Sequence, residues 1–339
     1  MRIYKNIPLK PFNTFGLEYM ADCMIHVKTY KEAIAIFKGD ISWKKPLLIL
    51  GKGSNILFIS DFKGTILCPE FGGIKVEEQN RENVVISAGS GIMWDSLVQW
   101  TVNKGFGGLE NLSLIPGLTG AAPVQNIGAF GAEVKDSIIQ VKTISTDDGT
   151  IRFFDNNECR FGYRNSIFKT VEKGKYLITK VYFKLAVNPS FRLEYGSLRE
   201  EVKKSGKPSL VNVRQAVIGI RKSKLPDPEL IGNAGSFFKN PVVSVNIANN
   251  LKKKYPQIPC YDDPSGVIKL AAGWLIEQCG WKGKMYGDAG VHEKQALVIV
   301  NHGKATGKEI YDLSEKITES VSEKFGIVLE KEVEVVGTI

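Results

Sequence analysis

Residues 105–131 read GFGGLENLSLIPGLTGAAPVQNIGAFG, a run that holds seven glycines and two prolines. Neither the period of a helix nor the alternation of a strand persists through it. A long irregular segment within a compact domain is usually functional, and glycine lets the backbone approach a ligand closely. We therefore expect this run to contribute backbone atoms to a binding site.

Regular elements are predicted on the N-terminal side of this run. Short apolar runs predict strands at residues 23–27, 47–50, 56–58 and 83–88. A helix follows the first of these strands and begins at a capping box formed by Thr29 and Glu32. Another helix follows residues 83–88 and ends at Gly105. The strand at 23–27, its helix and the strand at 47–50 are therefore predicted to form one βαβ unit.

The rest of the chain is also predicted to mix strands with helices. Strand patterns lie at 141–154, where a hairpin turns at Asp148-Gly149, at 175–185 and at 327–336. Helical spacing of apolar residues covers 213–220, 268–275 after a Ser265 cap, and a last helix that runs from a Thr306 cap to Gly326. Together these patterns predict an α+β fold, rich in sheet, with more than one domain.

Composition and charge narrow the class of protein. The 339 residues carry a net charge of +9, but lysine and arginine are scattered, and the densest run, Lys252 to Lys254, reads as a solvated helix end. This distribution favours an anionic small molecule over nucleic acid. The five cysteines lack C-x-x-C spacing and the three histidines lie far apart, so we expect reduced thiols and no metal site.

The sequence shows no membrane or export signal. The first residues lack an apolar signal-peptide core, and no stretch approaches the roughly 20 apolar residues of a membrane span. We expect a cytoplasmic protein without membrane insertion.

Three glycine turns, at 51–55, 89–91 and 117–131, predict a dinucleotide held by backbone N–H groups. The first turn lacks the third glycine of the Rossmann fingerprint and is followed by a strand, and no P-loop occurs. Each turn taken alone is also consistent with a purely structural role.

Three polar clusters are candidates for chemistry. Arg164 lies among aromatic and glycine residues, where it can bind a carboxylate or simply stack on Tyr163. Ser236 follows Gly-Asn-Ala-Gly, where it can donate a proton or cap a turn. Alternation on a strand at 330–334 would place Glu330, Glu332 and Glu334 on one face, either as a solvated face or with one catalytic carboxylate.

The order of these motifs resembles the UDP-N-acetylenolpyruvoylglucosamine reductase family, in the class with an extra tyrosine loop. The resemblance covers nearly the whole chain and is carried by segments 13–16, 51–55, 115–131, 161–164, 232–241, 271–276 and 295–298. It implies an FAD-binding fold of the vanillyl-alcohol-oxidase/PCMH type, with two α+β subdomains and a third α+β domain that binds substrate. The implied domains are 1–73 with 330–339, 74–222, and 223–329.

The resemblance also implies an activity. FAD is the implied cofactor and NADPH the co-substrate, and the substrate is UDP-N-acetylglucosamine enolpyruvate, which is reduced to UDP-N-acetylmuramate for peptidoglycan synthesis. We expect a monomer that acts without a nucleic-acid partner. An oxidase or dehydrogenase for another sugar or alcohol in the same fold, and a basic binding protein without redox chemistry, are the alternatives.

Site residues are implied by matching position. Ser236 corresponds to the proton donor, and Arg164 and Glu332 to the pair that binds and polarises the substrate carboxylate. Substrate contacts are implied for Tyr195, Lys224, Asn240 and Gln295. Cofactor contacts are implied for Gly51, Gly53, Ser54, Asn55, Pro116, Gly117, Thr119, Gly120, Ala121, Gln125, Asn126, Gly128 and Gly131. The chain departs from the family at Glu334, where arginine is usual, and at Lys52, where glycine is common.

Overall fold

The computed structural model describes residues 1–262 and 266–338. The chain divides into two compact units. Unit 1 comprises Met1–Ile7, Ala21–Lys52 and Lys63–Ser223, and unit 2 comprises Pro8–Met20, Gly53–Phe62 and Lys224–Ile339. Both units combine helices with sheets, which confirms the α+β prediction.

The secondary structure has the following bounds. The helices are α1 (Tyr30–Phe37), α2 (Trp94–Asn103), α3 (Leu198–Lys204), α4 (Leu210–Lys224), α5 (Val245–Lys254), α6 (Ala272–Gln278) and α7 (Gly307–Phe325). The strands are β1 (Arg2–Pro8), β2 (Met20–Val27), β3 (Leu47–Ile49), β4 (Ile56–Phe58), β5 (Phe62–Pro69), β6 (Ile74–Gln79), β7 (Asn83–Gly89), β8 (Gly128–Ala129), β9 (Ala132–Glu133), β10 (Ile138–Ser145), β11 (Ile151–Asp155), β12 (Tyr176–Ala186), β13 (Gly232–Ser236), β14 (Val242–Val243), β15 (Cys260–Asp262), β16 (Ile268–Leu270), β17 (Met285–Tyr286), β18 (Ala289–Val291), β19 (Val298–Asn301) and β20 (Glu334–Val336).

Unit 1 is built on two larger sheets. Their strand orders are β1-β2-β5-β3 and β11-β10-β12-β7-β6. The central strand β12 pairs antiparallel with β10 and with β7. Its buried residues pack with apolar residues of α2, such as Trp94 and Leu97, in one core cluster. The predicted capping box of Thr29 and the hairpin of β10 with β11 are both confirmed.

The glycine-rich run 105–131 packs into this core and does not form an exposed loop. Its apolar side chains, including Phe106, Leu112 and Ile127, belong to the same buried cluster. The backbone N–H of Trp94 donates to the carbonyl of Gly117 at 3.0 Å, and its indole N–H donates to the carbonyl of Leu112 at 2.8 Å. An irregular backbone is thereby held rigidly.

Unit 2 packs α5, α6 and α7 with a four-stranded sheet of order β13-β19-β18-β17. Strands β14, β16 and β15 form a smaller sheet, and β20 pairs parallel with β4. Helix α7 begins at a capping box of Thr306 and Glu309 and ends at Gly326, which has φ +68. Both predicted ends of this helix are confirmed. Residues 252 to 254 form the last turn of α5, as predicted.

Two predictions in unit 2 were wrong in extent. Residues 268–270 form strand β16 and the helix begins only at Ala272, because β16 pairs between β14 and β15. The predicted Ser265 cap lies outside the described residues. The predicted terminal strand 327–336 is reduced to β20, since the residues before it bond to a different part of unit 2. Glu330 and Glu332 therefore do not lie on a strand with Glu334.

None of the helices in the described residues combines the length and the apolar character needed to cross a lipid bilayer.

We predict opposite effects of alanine at two glycines. A Cβ on Gly307, the first residue of α7, would lie 1.7 Å from the carbonyl oxygen of Phe58. Gly307→Ala should therefore lower the free energy of unfolding by about 2–3 kcal/mol. Gly219, in the middle of α4, has nothing within 4 Å of its Cβ position. Gly219→Ala should raise the stability by roughly 1 kcal/mol. Thermal unfolding followed by circular dichroism compares the two, and equal destabilisation would contradict the packing argument.

Candidate active site

Ser236 is the last residue of β13, beside an irregularity in the pairing with β19. Gly235 has φ +69, a conformation that favours glycine, and turns the chain just before the serine. The buried side chain of Asn233 holds this turn, since its carbonyl accepts from the N–H of Gly235 at 2.9 Å and its amide donates to the carbonyl of Ile231 at 2.8 Å. Ser236 is half-buried on a rigid turn.

Glu332 lies where the C-terminal segment changes its pairing partner. Its N–H donates to the carbonyl of Phe237, the residue after Ser236, at 2.8 Å. Its own carbonyl accepts from the side-chain amide of Asn55 at 3.1 Å. Two residues later, the N–H of Glu334 donates to the carbonyl of Asn55 at 3.0 Å, and β20 begins. The backbone of Glu332 is therefore fixed from both sides.

Two further predicted contacts of unit 2 lie at the start of α6. The side-chain carbonyl of Asn240 accepts from the N–H of Ala272 at 3.0 Å. The side-chain oxygen of Gln295 accepts from the N–H of Leu297 at 3.3 Å, and a Cβ on Gly273 would lie 3.1 Å from it. The predicted contact Lys224 is exposed at the end of α4.

Arg164 in unit 1 contacts the glycine-rich run. Its guanidinium donates to the carbonyl of Gly128 at 2.6 Å and lies 5.4 Å from the centre of the Tyr163 ring. A Cβ on Gly128 would lie 2.8 Å from the guanidinium and 3.0 Å from the carbonyl oxygen of Ala132, so a larger residue would displace the arginine from this position. The structure thus brings together a predicted catalytic residue and a predicted cofactor contact.

Tyr195 contacts the end of the same run. Its ring packs edge-on to Phe130, with centroids 6.0 Å apart, and its Cβ lies 3.7 Å from the Cβ position of Gly131. The side chain is 47% exposed and can meet a ligand from solvent.

Several predicted cofactor contacts have structural partners within their own unit. Asn126 is fully buried and bonds to the carbonyl of Gly162, the carboxylate of Glu133 and the N–H of Lys135. A Cβ on Gly53 would lie 2.0 Å from the carbonyl oxygen of Phe12, and one on Gly120 would lie 2.5 Å from the Cβ of Ser90. A side chain at Gly53 or Gly120 would overlap neighbouring protein atoms, so glycine is required at both positions. The remaining predicted cofactor contacts have varied surroundings. Gly51 lies near Leu118, and Thr119 donates to the carbonyl of Ile92. Pro116 and Ala121 are exposed, and Ser54 and Gln125 are half-buried.

Sequence reasoning missed an arginine network in unit 1. Asp95 of α2 makes a bidentate pair with Arg214 of α4 at 2.6 and 2.8 Å, and also accepts from the N–H of Leu114 at 2.6 Å. Burial alone would raise the pKa of Asp95, but the hydrogen bonds from Arg214 and Leu114 hold it below its usual value. Arg214 and Arg221 are seven positions apart on one helix and so share a face. This spacing was the sequence feature from which the pair of arginines could have been predicted.

Arg221 is the second member of this network. Burial lowers its pKa to about 10, Arg164 adds to the effect and Asp95 opposes it. Among the described residues, its Nε and the Oγ of Ser90 are buried without a hydrogen-bond partner. Unit 1 therefore offers buried donors that no protein atom satisfies, and such groups usually have a partner.

Two family profiles match the chain. The C-terminal domain of UDP-N-acetylenolpyruvoylglucosamine reductase matches residues 227–336, and an FAD binding domain matches residues 21–155. A UDP-N-acetylenolpyruvoylglucosamine reductase from Chromobacterium violaceum is 44% identical over 330 residues, which cover 96% of this chain and 97% of the relative. One from Flavobacterium johnsoniae is 43% identical over 339 residues, covering 99% and 100%. The chain belongs to the UDP-N-acetylenolpyruvoylglucosamine reductase family.

Solved structures agree with this membership. The reductase of this family from Thermus caldophilus superposes with a TM-score of 0.69 at 25% identity, covering 99% of this chain and all of the other. A solvent-stable cholesterol oxidase, 12% identical with a TM-score of 0.51, covers 98% and 86% and shares the fold alone. The expected FAD-binding fold of the vanillyl-alcohol-oxidase/PCMH type is confirmed, and the protein is an FAD-dependent oxidoreductase.

The residues of unit 1 fit the flavin that membership in the reductase family implies. The unsatisfied Nε of Arg221 and Oγ of Ser90 are donors for a group rich in acceptors. The glycine-rich run presents its backbone beside the guanidinium of Arg164. Residues 116–131, together with Ser90 and Arg221, would hold the cofactor in this unit.

We predict that Asp95 stabilises unit 1 only above acidic pH. Because its pKa is depressed in the folded state, the contribution is present above the usual carboxyl pKa of about 3.9 and is lost as the pH falls through the folded value. Asp95→Asn should lower the free energy of unfolding at pH 7 by about 1–3 kcal/mol. The difference from the parent protein should shrink below pH of about 4. Denaturant titrations across pH test this, with the exposed Asp147→Asn as control; a gap that does not depend on pH would exclude an ionised Asp95 as the cause.

Proposed function

We propose that this protein reduces UDP-N-acetylglucosamine enolpyruvate to UDP-N-acetylmuramate with NADPH as hydride donor, in the synthesis of peptidoglycan precursors. Membership in the reductase family and the FAD binding domain support this function. The observation that carries it is the backbone hydrogen bond from Glu332 to Phe237. Because Ser236 directly precedes Phe237, this bond holds the segments of Ser236 and Glu332 side by side. An oxidase for other alcohols would have no need of a proton donor paired in this way.

FAD, held by the residues of unit 1 named above, would supply hydride chemistry, by which hydride from NADPH would reach the methylene carbon of the enol ether. The chain must then protonate the neighbouring carbon and stabilise negative charge on the substrate carboxylate. We assign the proton to the Oγ of Ser236, on the turn held by Asn233. Overall, one hydride and one proton add across the double bond, and NADP⁺ leaves.

Charge stabilisation is assigned to Arg164 and Glu332. The guanidinium of Arg164 is anchored at the carbonyl of Gly128 by one nitrogen and carries further N–H donors for a carboxylate. Donors fixed where charge develops are often the largest catalytic contribution. Glu332 is fixed through its backbone, so its carboxyl group would polarise the substrate from a defined position.

Binding of the nucleotide diphosphate is assigned to Tyr195, Lys224 and Asn240, with Gln295 near the substrate. Tyr195 and Lys224 are exposed and donate hydrogen bonds that suit phosphate oxygens. The proposal includes the three-domain division, in which 223–329 bind substrate, a monomeric state and a cytoplasmic location.

An anaerobic absorbance titration tests the function directly. The purified protein should show an oxidised-flavin spectrum that bleaches with NADPH and returns when UDP-N-acetylglucosamine enolpyruvate is added. Flavin that bleaches but reoxidises only with oxygen would indicate an oxidase for another substrate.

We predict that Ser236→Ala separates the two half-reactions. Reduction of flavin by NADPH should remain intact, since no proton is required from the serine. Reoxidation by the enolpyruvyl substrate should slow by at least about 100-fold. Stopped-flow absorbance measures both rates. Ser244→Ala, which removes only the cap of α5, is the matched control and should leave both rates unchanged. Equal loss of both half-reactions in Ser236→Ala would rule out Ser236 as the acid.

We also predict a difference between two glutamates of one segment. Glu332→Gln keeps the shape but replaces the carboxyl group by an amide, and should lower kcat by about 10²–10³-fold. Glu330 pairs with Lys239 and is largely exposed. Glu330→Gln should therefore leave kcat close to that of the parent protein. Steady-state assays of NADPH oxidation compare the variants, and similar rates in both would refute the role of Glu332.

A further inference from the structure

Asn111 connects two segments of unit 1 that carry predicted contacts. It lies in the glycine-rich run and is 3% exposed. Its side-chain amide donates to the carbonyl of Phe130 at 2.8 Å and to the carbonyl of Arg192 at 2.9 Å. Phe130 stands at the end of the glycine-rich run, and Arg192 lies three residues before Tyr195. A single primary amide thus uses both of its hydrogens to join the run to residues 190–197, the tyrosine loop, which carries Tyr195.

Packing around this amide is incomplete. A solvent-open cleft of about 330 Å³ lies beside it and is lined by Asn111, Ala132, Ser190 and Arg192, among others. Solvent in an open cleft makes no fixed packing contacts with the walls, so the lining segments are held by fewer dispersion contacts within the protein. The amide bridge and the ion pair of Arg192 with Asp136 therefore carry more of the connection at this point.

The backbone at Phe130 also requires support. Its φ is +48, a region that non-glycine residues adopt only when their surroundings enforce it. The hydrogen bond from Asn111 holds the carbonyl of this residue, and its ring packs edge-on to Tyr195. Asn111 thereby acts on Tyr195 from two directions, through the ring of Phe130 and through the loop at Arg192.

We propose that Asn111 is a positioning residue that pre-orders Tyr195 for the substrate diphosphate. The inference rests on the proposed function, because it takes Tyr195 as a contact of that diphosphate. Without the bridge, the tyrosine loop populates its binding-competent arrangement less often. The apparent affinity for the UDP-sugar then falls by that fraction, whereas chemistry after binding is preserved.

The kinetic test is a double-mutant cycle with Tyr195. Asn111→Ala should raise the KM for the enolpyruvyl UDP-sugar roughly tenfold with little change in kcat. In a Tyr195→Ala background the same substitution should add almost nothing, since the two residues act through one contact. Independent, multiplying effects of the two substitutions would overturn the proposal. Asn111→Ser, which keeps one donor, serves if the alanine variant does not fold.

A matched control distinguishes positioning from general damage. Asn156 is also in unit 1, and its amide donates to the carbonyls of Lys135 and Ile138 at 2.9 and 2.6 Å. Asn156→Ala should lower the unfolding temperature without raising the KM. A KM increase as large as that of Asn111→Ala would show that the kinetic effect is nonspecific.

Hydrogen exchange tests the bridge without any assay of activity. In Asn111→Ala, backbone amides of residues 190–197 should exchange faster than in the parent protein, while those of β12 do not change. Unaltered exchange in 190–197 would refute the bridge. If the parent flavin is not reoxidised by the UDP-sugar, the proposed function fails while this exchange result still decides the role of Asn111 in ordering the loop.

Discussion

The arrangement of unit 2 depends on the backbone of one buried residue, Phe237. Its N–H donates to Leu297 at 2.7 Å and its carbonyl accepts from Glu332 at 2.8 Å. Its ring is fully buried and packs against Phe15 and Phe238. The segments of Phe15, Leu297 and Glu332, which are remote in sequence, therefore meet at Phe237. A shift of this residue would leave a cavity in the core. The positions of the flanking serine and of the glutamate follow from this anchor.

Unit 1 solves a similar problem with strained backbone. Leu114, Asn126, Phe130 and Arg164 have positive φ although none is glycine. Such conformations cost energy and persist where the surroundings over-determine them. Here amide and carboxylate side chains hold the strained backbone by hydrogen bonds, as the half-buried Asp95 does at the N–H of Leu114. The glycine-rich run is thus rigid despite its composition, which suits the presentation of backbone groups to a cofactor.

The sequence predicted correctly those helix ends that are defined by capping residues. The capping boxes at Thr29 and Thr306 and the left-handed Gly326 were visible because their interactions span only a few residues. The exchange of partners at Glu332 was not, since its bonds to Phe237 and Asn55 join segments that periodicity does not relate. Likewise, the family resemblance pointed to the site residues, but which of the glycines lie against neighbouring protein atoms required the three-dimensional structure.

The pairing of β4 with β20 has a consequence for the order of folding. Asn55 and Glu332 are separated by 277 positions, and the longest stretch of unit 1, Lys63–Ser223, lies between them in the chain. During translation β4 emerges early, whereas its partner strand β20 is made only after most of the polypeptide has been synthesised. Residues 63–223 can reach their own core first. An apolar strand left waiting is a natural client for chaperones and a place where slowed translation would matter.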